Sequence, residues 1–307
     1  MISHISRCSL HDGPGVRTVV YLKGCGLRCK WCHNPETFCK EPDILYHPAK
    51  CISCGECIRV CPQHHRAGEQ HMIFEREGCE HCGRCAAVCP ANALTVSGRE
   101  MTVEEVFAEV QKDCHFYEES GGGITLSGGE CLLQPEFTEK LLARCRQAGI
   151  HTAIESALYV PWRHLERVLP YVDLVYADLK IADSSKHREY TGQSNERILE
   201  NLGRLVQAIG RKEKGRVTGD TDTKPPQLII RIPLIPGVND SEADMQECGR
   251  IIAPFGDVVS DVELLRYNYL AESKYESMNM PYHSFGDETQ SEERVEYLKK
   301  VLERIII

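Results

Sequence analysis

Cysteine is the residue type that points most directly to chemistry in this chain, with 17 cysteines among 307 residues. Eight of them form two series of the same spacing, in which three cysteines stand three positions apart and a fourth follows four positions later, before a proline. The two series are Cys51, Cys54, Cys57, Cys61 and Cys79, Cys82, Cys85, Cys89. Thiolates at such short, regular spacing are typical of metal sites, and the odd total argues against a disulfide framework.

The repeated series predicts two [4Fe–4S] clusters. The spacing is that of two-cluster bacterial ferredoxins, in which the fourth cysteine of each series binds the cluster of the other. The cysteines then divide into two sets, Cys51, Cys54, Cys57 with Cys89, and Cys79, Cys82, Cys85 with Cys61. A pair of zinc sites is the alternative, but zinc modules usually separate two pairs of Cys or His by about a dozen residues or more.

A third set, Cys25, Cys29 and Cys32, offers only three thiolates. A cluster held by three thiolates has one iron open to an outside ligand, which suits chemistry, whereas fully ligated clusters suit electron transfer. The set follows the β-branched run from Arg17 to Gly24, which predicts a strand. Loops at the carboxyl ends of strands are where α/β folds build their sites.

The overall composition excludes several classes of protein. Lys and Arg total 36 and Asp and Glu total 45, so the formal charge is −9, which disfavours nucleic acid or an anionic membrane as the main partner. No uninterrupted apolar run reaches the length of a membrane span, and the first residues do not resemble a secretory signal. A cytoplasmic location is expected.

The order of elements after residue 98 alternates between helical and strand-like patterns. Strands are expected at residues 18–23, 123–127, 151–155, 173–178, 227–234 and 258–265, and helices at residues 102–111, 135–149, 161–169, 195–209, 240–253 and 292–306. Thr102 and Glu105 have the spacing of a capping box. Six alternating units indicate a parallel sheet.

Six units are too few for a complete eight-stranded barrel. The expected fold is α/β, a partial (β/α)6 TIM-like barrel with an inserted ferredoxin-like domain that holds two [4Fe–4S] clusters. Residues 47–98 are assigned to the insert because Cys, Pro, Gly and charged residues replace amphipathic periodicity there. Residues 1–46 and 99–307 are assigned to the barrel. Within the barrel, residues 211–226 are predicted to form a mobile surface loop.

The motifs resemble those of the radical S-adenosylmethionine (SAM) enzymes. Cys25, Cys29 and Cys32, with Trp31 before the last cysteine, resemble the family's cysteine signature, and residues 127–130 (SGGE) resemble its glycine-rich motif. The segments at residues 11–17 (HDGPGVR) and 33–36 (HNPE) are similar to those of the glycyl-radical enzyme activating enzymes. This resemblance covers essentially the whole chain, including the insert, which activators of several dehydratases, lyases and decarboxylases carry.

The resemblance implies a radical mechanism. The amino and carboxylate groups of SAM would bind the open iron, and one electron would cleave SAM to methionine and a 5′-deoxyadenosyl radical. That radical would remove a hydrogen atom from a backbone glycine of a partner glycyl-radical enzyme. Since glycine radicals are sensitive to oxygen, an anaerobic setting is implied. A flavodoxin or ferredoxin is the expected electron donor, and a choline trimethylamine-lyase or a diol or glycerol dehydratase is the expected client.

The resemblance also implies contacts to SAM. These contacts are expected from Trp31, Cys32, His33, Gly128, Gly129, Glu130, Asp178, Lys180, Arg231 and Asn268. Glu130 is expected near the SAM ammonium, and Lys180, expected to be catalytic together with the three cysteines of the third set, near its carboxylate. For Arg231, an ion pair in the barrel interior is an equally good interpretation as contact with SAM. Asn268 stands where a ribose-contacting His is common.

Two further sites follow from the resemblance. Glu155, Ser156, Asp178 and the Tyr176 carbonyl resemble a monovalent-cation site beside SAM, although Glu155 stands where a shorter Asp is common. The partner's glycine loop is expected to contact the turn formed by Asp12, Gly13, Pro14 and Gly15.

Three other functions compete with the activating enzyme. One is a radical SAM enzyme that acts on a small molecule, which the Asp12 motif disfavours. Another is a multi-cluster electron-transfer protein, which leaves the Gly-Gly-Glu and Asp-x-Lys motifs unexplained. A zinc-binding interaction module is the weakest.

Overall fold

The structure, a computed structural model, describes residues 1–213 and 225–306. Its strands are β1 (Ile2–Ser9), β2 (Arg17–Leu22), β3 (Asp43–Tyr46), β4 (His65–Ala67), β5 (Met72–Phe74), β6 (Leu94–Ser97), β7 (Gly123–Gly128), β8 (His151–Ser156), β9 (Leu174–Asp178), β10 (Gln227–Pro233) and β11 (Asp261–Leu265). Its α-helices are α1 (Glu56–Val60), α2 (Arg84–Ala87), α3 (Val103–Gln111), α4 (Cys114–Ser120), α5 (Pro135–Gln147), α6 (Trp162–Val168), α7 (Ser184–Thr191), α8 (Glu196–Glu213), α9 (Glu242–Ile252), α10 (Glu272–Ser277) and α11 (Glu292–Ile306).

One seven-stranded sheet organises the molecule, in the order β1-β2-β7-β8-β9-β10-β11. From β2 to β11 every neighbouring pair is parallel, so the predicted six parallel strands and mostly parallel sheet are confirmed. The sequence missed β1, which pairs antiparallel with β2 at the edge. Within the described residues β1 and β11 do not pair with each other, so the sheet stays open.

The helices cover the sheet much as the sequence predicts. The carboxy-terminal helix has the predicted bounds, and α3 begins with the predicted capping box, in which Thr102 accepts from the Glu105 amide and the Glu105 carboxylate accepts from the Thr102 amide. Five short helices, α1, α2, α4, α7 and α10, were not predicted. The prediction of a loop at residues 211–226 is wrong at its start, because α8 continues to Glu213. Residues 214–224 of the predicted loop lie outside the described residues.

The main core lies between the sheet and its helices. Apolar side chains of the central strands, such as Ile124, Ile154 and Ile230, are fully buried against helical residues such as Leu141 and Leu298. Burial of this apolar surface is the main stabilising term of the fold. None of the helices in the described part of the chain is both long and apolar enough to cross a membrane.

The cysteine-rich segment leaves and rejoins the sheet through a two-stranded ribbon. β3 pairs antiparallel with β6, from Asp43 opposite Ser97 to Tyr46 opposite Leu94, so the ribbon begins before the boundary at residue 47. A small separate core of apolar residues and cysteines lies behind it. Lys23, which follows β2 and is fully buried, donates to the Glu36 carbonyl at 2.5 Å and to the Ser97 carbonyl at 3.4 Å, and the second bond ties the end of the ribbon to the sheet.

The capping box supports a direct test of local stability. Thr102→Ala removes the side-chain acceptor of the Glu105 amide, and we expect the free energy of unfolding to fall by about 1 kcal/mol. Thr102→Ser keeps that acceptor and should unfold at the wild-type denaturant midpoint, as measured anaerobically by circular dichroism. An equal loss in both variants would contradict a capping role.

Candidate active site and cysteine clusters

A cleft of about 620 Å³ lies at the carboxyl ends of the parallel strands. Thirteen residues that the sequence singled out line it: Asp12, Cys25, Cys29, Trp31, Cys32, His33, Gly128, Gly129, Glu155, Asp178, Lys180, Arg231 and Asn268. The cleft is also lined by Tyr21 and Arg266 and by the motif residues His11 and Ser127, to none of which a contact was assigned from the sequence. The structure therefore brings the third cysteine set and the strand-end motifs to one place.

The loop that carries the third cysteine set has no regular structure and depends on neighbouring segments. Four of its amides donate to carbonyls outside it at 2.7–3.2 Å: Gly24 to Thr37, Cys25 to Phe38, Arg28 to Thr191 and Lys30 to Tyr190. The last two acceptors are at the end of α7, where helical carbonyls lack partners within the helix. Helix α7, whose residues are mostly polar, was not predicted.

Of the three thiols of this loop, Cys29 is buried and Cys25 and Cys32 are partly buried. Burial raises the pKa of Cys29 to about 12, and it also raises the pKa of Cys25 and of Cys32. The Leu27 amide donates to Cys25 Sγ at 3.4 Å, and the Asn34 amide donates to Cys32 Sγ at 3.4 Å. Buried thiolates need a positive centre to remain ionised, so the donor set fits an iron–sulfur cluster.

The glycine-rich segment packs directly on the start of the cysteine loop. The Gly129 amide donates to the Leu22 carbonyl at 2.9 Å, and the Glu130 amide donates to the Gly24 carbonyl at 2.8 Å. A Cβ atom on Gly129 would lie 2.4 Å from the Gly24 carbonyl oxygen. The glycine is therefore required by contact between two backbone segments, besides any contact with a ligand.

Glu130 lies behind the cleft wall and is 2% exposed. Its carboxylate accepts from Ser156 Oγ at 2.9 and 3.0 Å, from the Ala157 amide at 3.0 Å and from the Leu132 amide at 3.2 Å. Burial raises the pKa of Glu130 to about 7, although these donors oppose the shift. In the structure this side chain joins the glycine-rich segment to the end of β8.

Asp178 and Lys180 form an ion pair in the cleft, with Nζ 2.7 Å from Oδ2. Burial alone lowers the pKa of Lys180, but Asp178 and Cys29 raise it above its usual value. Asn239, which the sequence did not indicate, donates to the Lys180 carbonyl at 2.6 Å and to the Pro233 carbonyl at 2.7 Å. It fixes the Lys180 backbone to the end of β10.

Arg231 extends from β10 across the cleft, and its guanidinium lies 2.5 Å from Glu155 Oε1. It also lies 2.8 Å from Glu263 and donates to the His11 carbonyl at 3.1 Å. The predicted alternative of an ion pair in the barrel interior is thus present in the structure. The contact with His11 also holds the turn after β1 against the cleft.

Aromatic and polar contacts close the other side of the cleft. Trp31 is 8% exposed and packs edge-on against Phe285, with ring centroids 6.3 Å apart. His33 Nε2 lies 2.7 Å from the Asn268 carbonyl oxygen, and the Asn268 side chain accepts from the Leu270 amide. Asn268 is predicted to contact SAM, but its side-chain oxygen already accepts a hydrogen bond from the backbone of its own turn.

The predicted partner-binding turn is divided between the cleft and the outside. Asp12 lines the cleft, and its carbonyl accepts from Thr125 at 2.6 Å. Gly13, Pro14 and Gly15 are not among the cleft-lining residues, and Pro14 is exposed.

The eight cysteines of the cysteine-rich segment line two separate cavities. One cavity is lined by Cys51, Cys54, Cys57 and Cys89, and another by Cys61, Cys79, Cys82 and Cys85. The two binding loops share an unusual backbone, with φ of 54° and 79° at Ser53 and Gly55 and of 54° and 76° at His81 and Gly83. Two loops of the same shape around two sets of four thiols fit two similar clusters.

Helix α10 contacts both the cysteine-rich segment and the residues that follow the cysteine loop. On one side Arg76 of the insert donates to the Ser277 carbonyl at 2.7 Å. On the other side Lys274 donates to Asn34 Oδ1 at 2.8 Å and to Glu36 Oε1 at 3.0 Å. Asn34 directly follows the cysteine loop, so one short helix fixes the insert relative to the cleft.

Comparison with known proteins identifies the class. Residues 19–247 match the radical SAM superfamily. A radical SAM methyltransferase from Sphaerobacter thermophilus shares the fold, with a TM-score of 0.50 at 14% identity over 95% of this chain and 64% of that chain. The chain belongs to the radical SAM superfamily, whose enzymes use a [4Fe–4S] cluster and SAM.

Two curated relatives narrow the class further. The (2S)-3-sulfopropanediol dehydratase activating enzyme of Klebsiella oxytoca is 41% identical over 92% of this chain and 86% of its own length. The choline trimethylamine-lyase activating enzyme of Oleidesulfovibrio alaskensis is 40% identical over 96% of this chain and 93% of its own length. Within the superfamily, the chain belongs to the activating enzymes of glycyl-radical enzymes, and the predicted family is confirmed.

The buried carboxyl of Glu130 predicts a pH dependence of stability. The folded carboxyl, with a pKa of about 7, holds a proton that the unfolded carboxyl loses near its ordinary value of 4.5. The free energy of unfolding should therefore fall as the pH rises toward 7 and level off above it. Glu130→Gln cannot titrate, so this fall should disappear from its denaturant midpoints between about pH 5 and 7.

The control for this measurement is Glu136→Gln, which changes an exposed glutamate at the start of α5 and should keep the wild-type pH profile. A wild-type slope retained in Glu130→Gln would show that the proton resides elsewhere.

Substitution by alanine is expected to have opposite effects on stability at two glycines, because one is crowded and the other is not. Gly129→Ala forces apart the two backbone segments, and we expect a loss of about 2 kcal/mol in the free energy of unfolding together with weaker SAM binding. Gly203 lies in α8 with open space around its Cα, so Gly203→Ala should stabilise the protein by up to about 1 kcal/mol. Thermal unfolding and SAM titration of both variants check this, and a neutral Gly129→Ala would contradict the packing role.

Proposed function

We propose that Cys25, Cys29 and Cys32 hold the catalytic [4Fe–4S] cluster of this activating enzyme and that SAM fills the adjoining cleft. When bound and reduced, the cluster supplies the electron that cleaves SAM, and the resulting 5′-deoxyadenosyl radical removes a hydrogen atom from a glycine of the partner enzyme. The observation that carries this proposal is the convergence of three thiols, the glycine-rich turn and the Asp178–Lys180 pair in one cleft.

The chain's own residues bind and orient SAM. Lys180, held by Asp178, presents a fixed positive charge for the SAM carboxylate. Trp31 and His33 provide the wall for the adenine, while Asn268 lies at the ribose end. The backbone of Gly128 and Gly129 leaves room for the methionine part, and Glu130 supports that segment from behind.

The turn at residues 12–15 is the proposed contact for the partner's glycine loop. Asp12 faces the cleft while Pro14 is exposed, so the turn reaches from the outside to the site of the radical. The contact between Arg231 and the His11 carbonyl supports the turn from within.

We also propose that residues 47–98 form a ferredoxin-like domain with two further [4Fe–4S] clusters, inserted into a partial barrel made of residues 1–46 and 99–307. The two sets of four thiols and the matching loop conformations support this count. Fully ligated clusters serve electron transfer, and a flavodoxin or ferredoxin is the proposed donor. The link through α10 keeps the insert at a fixed distance from the cleft.

The proposed client is a choline trimethylamine-lyase or a diol-type dehydratase. Relatives at 40% and 41% identity are named for the activation of enzymes of these two kinds. Because these identities are nearly equal, client choice has to be tested directly.

The test is anaerobic reconstitution with iron and sulfide, reduction, and addition of SAM with each candidate client. We expect 5′-deoxyadenosine together with a doublet glycyl signal in the electron spin resonance spectrum of the correct client. 5′-Deoxyadenosine without a signal on any client would favour a small-molecule substrate. No cleavage of SAM by the fully loaded, reduced protein would refute the proposed site.

The number of clusters predicts the iron content of cysteine variants. Wild-type protein should hold about twelve irons per chain, and Cys29→Ala about eight, with SAM cleavage lost. Cys54→Ala should lose iron from the insert only and still bind SAM. Cys39→Ala, which changes an exposed cysteine outside all three sets, should keep the full iron content and serves as the control. About four irons in the wild type, or zinc in the insert, would disprove the three-cluster proposal.

A further inference from the structure

The residues that resemble a monovalent-cation site are already engaged with other groups of the protein. Glu155 Oε1 lies 2.5 Å from the Arg231 guanidinium, and Glu155 Oε2 accepts from Ser127 at 2.6 Å. Ser156 Oγ donates to Glu130 and accepts from the Leu158 amide at 2.9 Å. A metal ion at this place would have to displace these partners.

The two carboxylates of the set are matched by two protein cations. Asp178 pairs with Lys180 at 2.7 Å, just as Glu155 pairs with Arg231. The Arg231 side chain is 9% exposed and the Lys180 side chain 15%, so solvent screens both pairs only weakly. Arg231 is shared with Glu263, so an additional cation would meet carboxylates that each already have a protein cation as a partner.

Arg231 is held in this position from several directions. Its guanidinium lies 3.4 Å from the centroid of the Tyr176 ring, and it also contacts Glu263 and the His11 carbonyl. Guanidinium is permanently charged and has five donors in a fixed plane, which suits several acceptors at once.

The length of Glu155 is what allows this arrangement. Glu155 is on β8 and Arg231 on β10, with β9 between them, and the two side chains meet above Tyr176 of β9. An aspartate would withdraw the carboxylate by one carbon–carbon bond, about 1.5 Å, and open a gap beside the guanidinium.

We propose that Arg231 supplies the fixed positive charge at this place, so that the enzyme binds SAM without sodium or potassium. The inference rests on the proposed SAM site. It makes Arg231 a positioning residue, which acts on SAM through Glu155 and the strand ends. The longer Glu155 and the buried Arg231 then form one functional pair.

The test measures SAM affinity of the reconstituted holoenzyme in buffers whose only cation is potassium, sodium or tetramethylammonium, at equal ionic strength. The readouts are anaerobic calorimetry and the change that SAM causes in the electron spin resonance spectrum of the reduced cluster. For the wild type we expect affinities that agree within about twofold in the three buffers. An affinity that rises several-fold with potassium or sodium would overturn the inference.

Four variants test this result further. Arg231→Gln and Glu155→Asp should bind SAM about tenfold more weakly in tetramethylammonium, and sodium or potassium should restore part of the loss. Arg231→Lys keeps the charge, so its affinity for SAM should not depend on the cation of the buffer. Arg167→Gln, at an exposed arginine paired with Glu136 and Glu139, is the matched control and should behave as the wild type.

The outcomes separate this inference from the proposed function. If the wild type fails to bind SAM in every buffer, the proposed site is wrong. If it binds only with sodium or potassium, the site stands and the role of Arg231 falls. If Arg231→Gln fails to fold, as judged by iron content and circular dichroism, the wild-type series and Glu155→Asp still test the role of Arg231.

Discussion

The cleft depends first on how the irregular loop around Cys25, Cys29 and Cys32 satisfies its backbone polar groups. A buried amide without a partner costs free energy comparable to a lost hydrogen bond, so the loop takes its shape from the carbonyls that surround it. Two of these carbonyls are at the end of α7, where Gly192, with φ of 82°, ends the helix. The part of the loop around Cys29 is therefore held by the end of a neighbouring helix, while its start at Cys25 is held by Phe38.

The same loop also fixes the glycine-rich segment. Carbonyls of Leu22 and Gly24 accept from Gly129 and Glu130, so the two motifs form one backbone unit although about a hundred residues separate them. Glu130 continues the unit to the end of β8 through the Ala157 amide. Side chains that bind a ligand from strand ends gain precision when the backbone beneath them is joined in this way.

The sequence was sufficient for features with local signals and insufficient for those that depend on distant pairing. The cysteine spacing, the capping box at Thr102 and the parallel strands each have a local pattern. In β1 most residues are only partly buried, so the edge strand lacks a clear alternation of apolar residues. The pairing of Glu155 with Arg231 depends on the register of two strands that are not neighbours, which no local pattern reports.

Charge balance explains why so many ionisable side chains can lie together in a partly buried cleft of an acidic protein. Removing a charge from water is unfavourable unless an opposite charge and hydrogen bonds compensate for it. In this cleft the Asp178–Lys180 and Glu155–Arg231 pairs lie side by side, since β9 and β10 place Asp178 next to Arg231. SAM itself carries a sulfonium, an ammonium and a carboxylate. A wall of alternating fixed charges can therefore accept such a substrate without leaving either side with an unpaired buried charge.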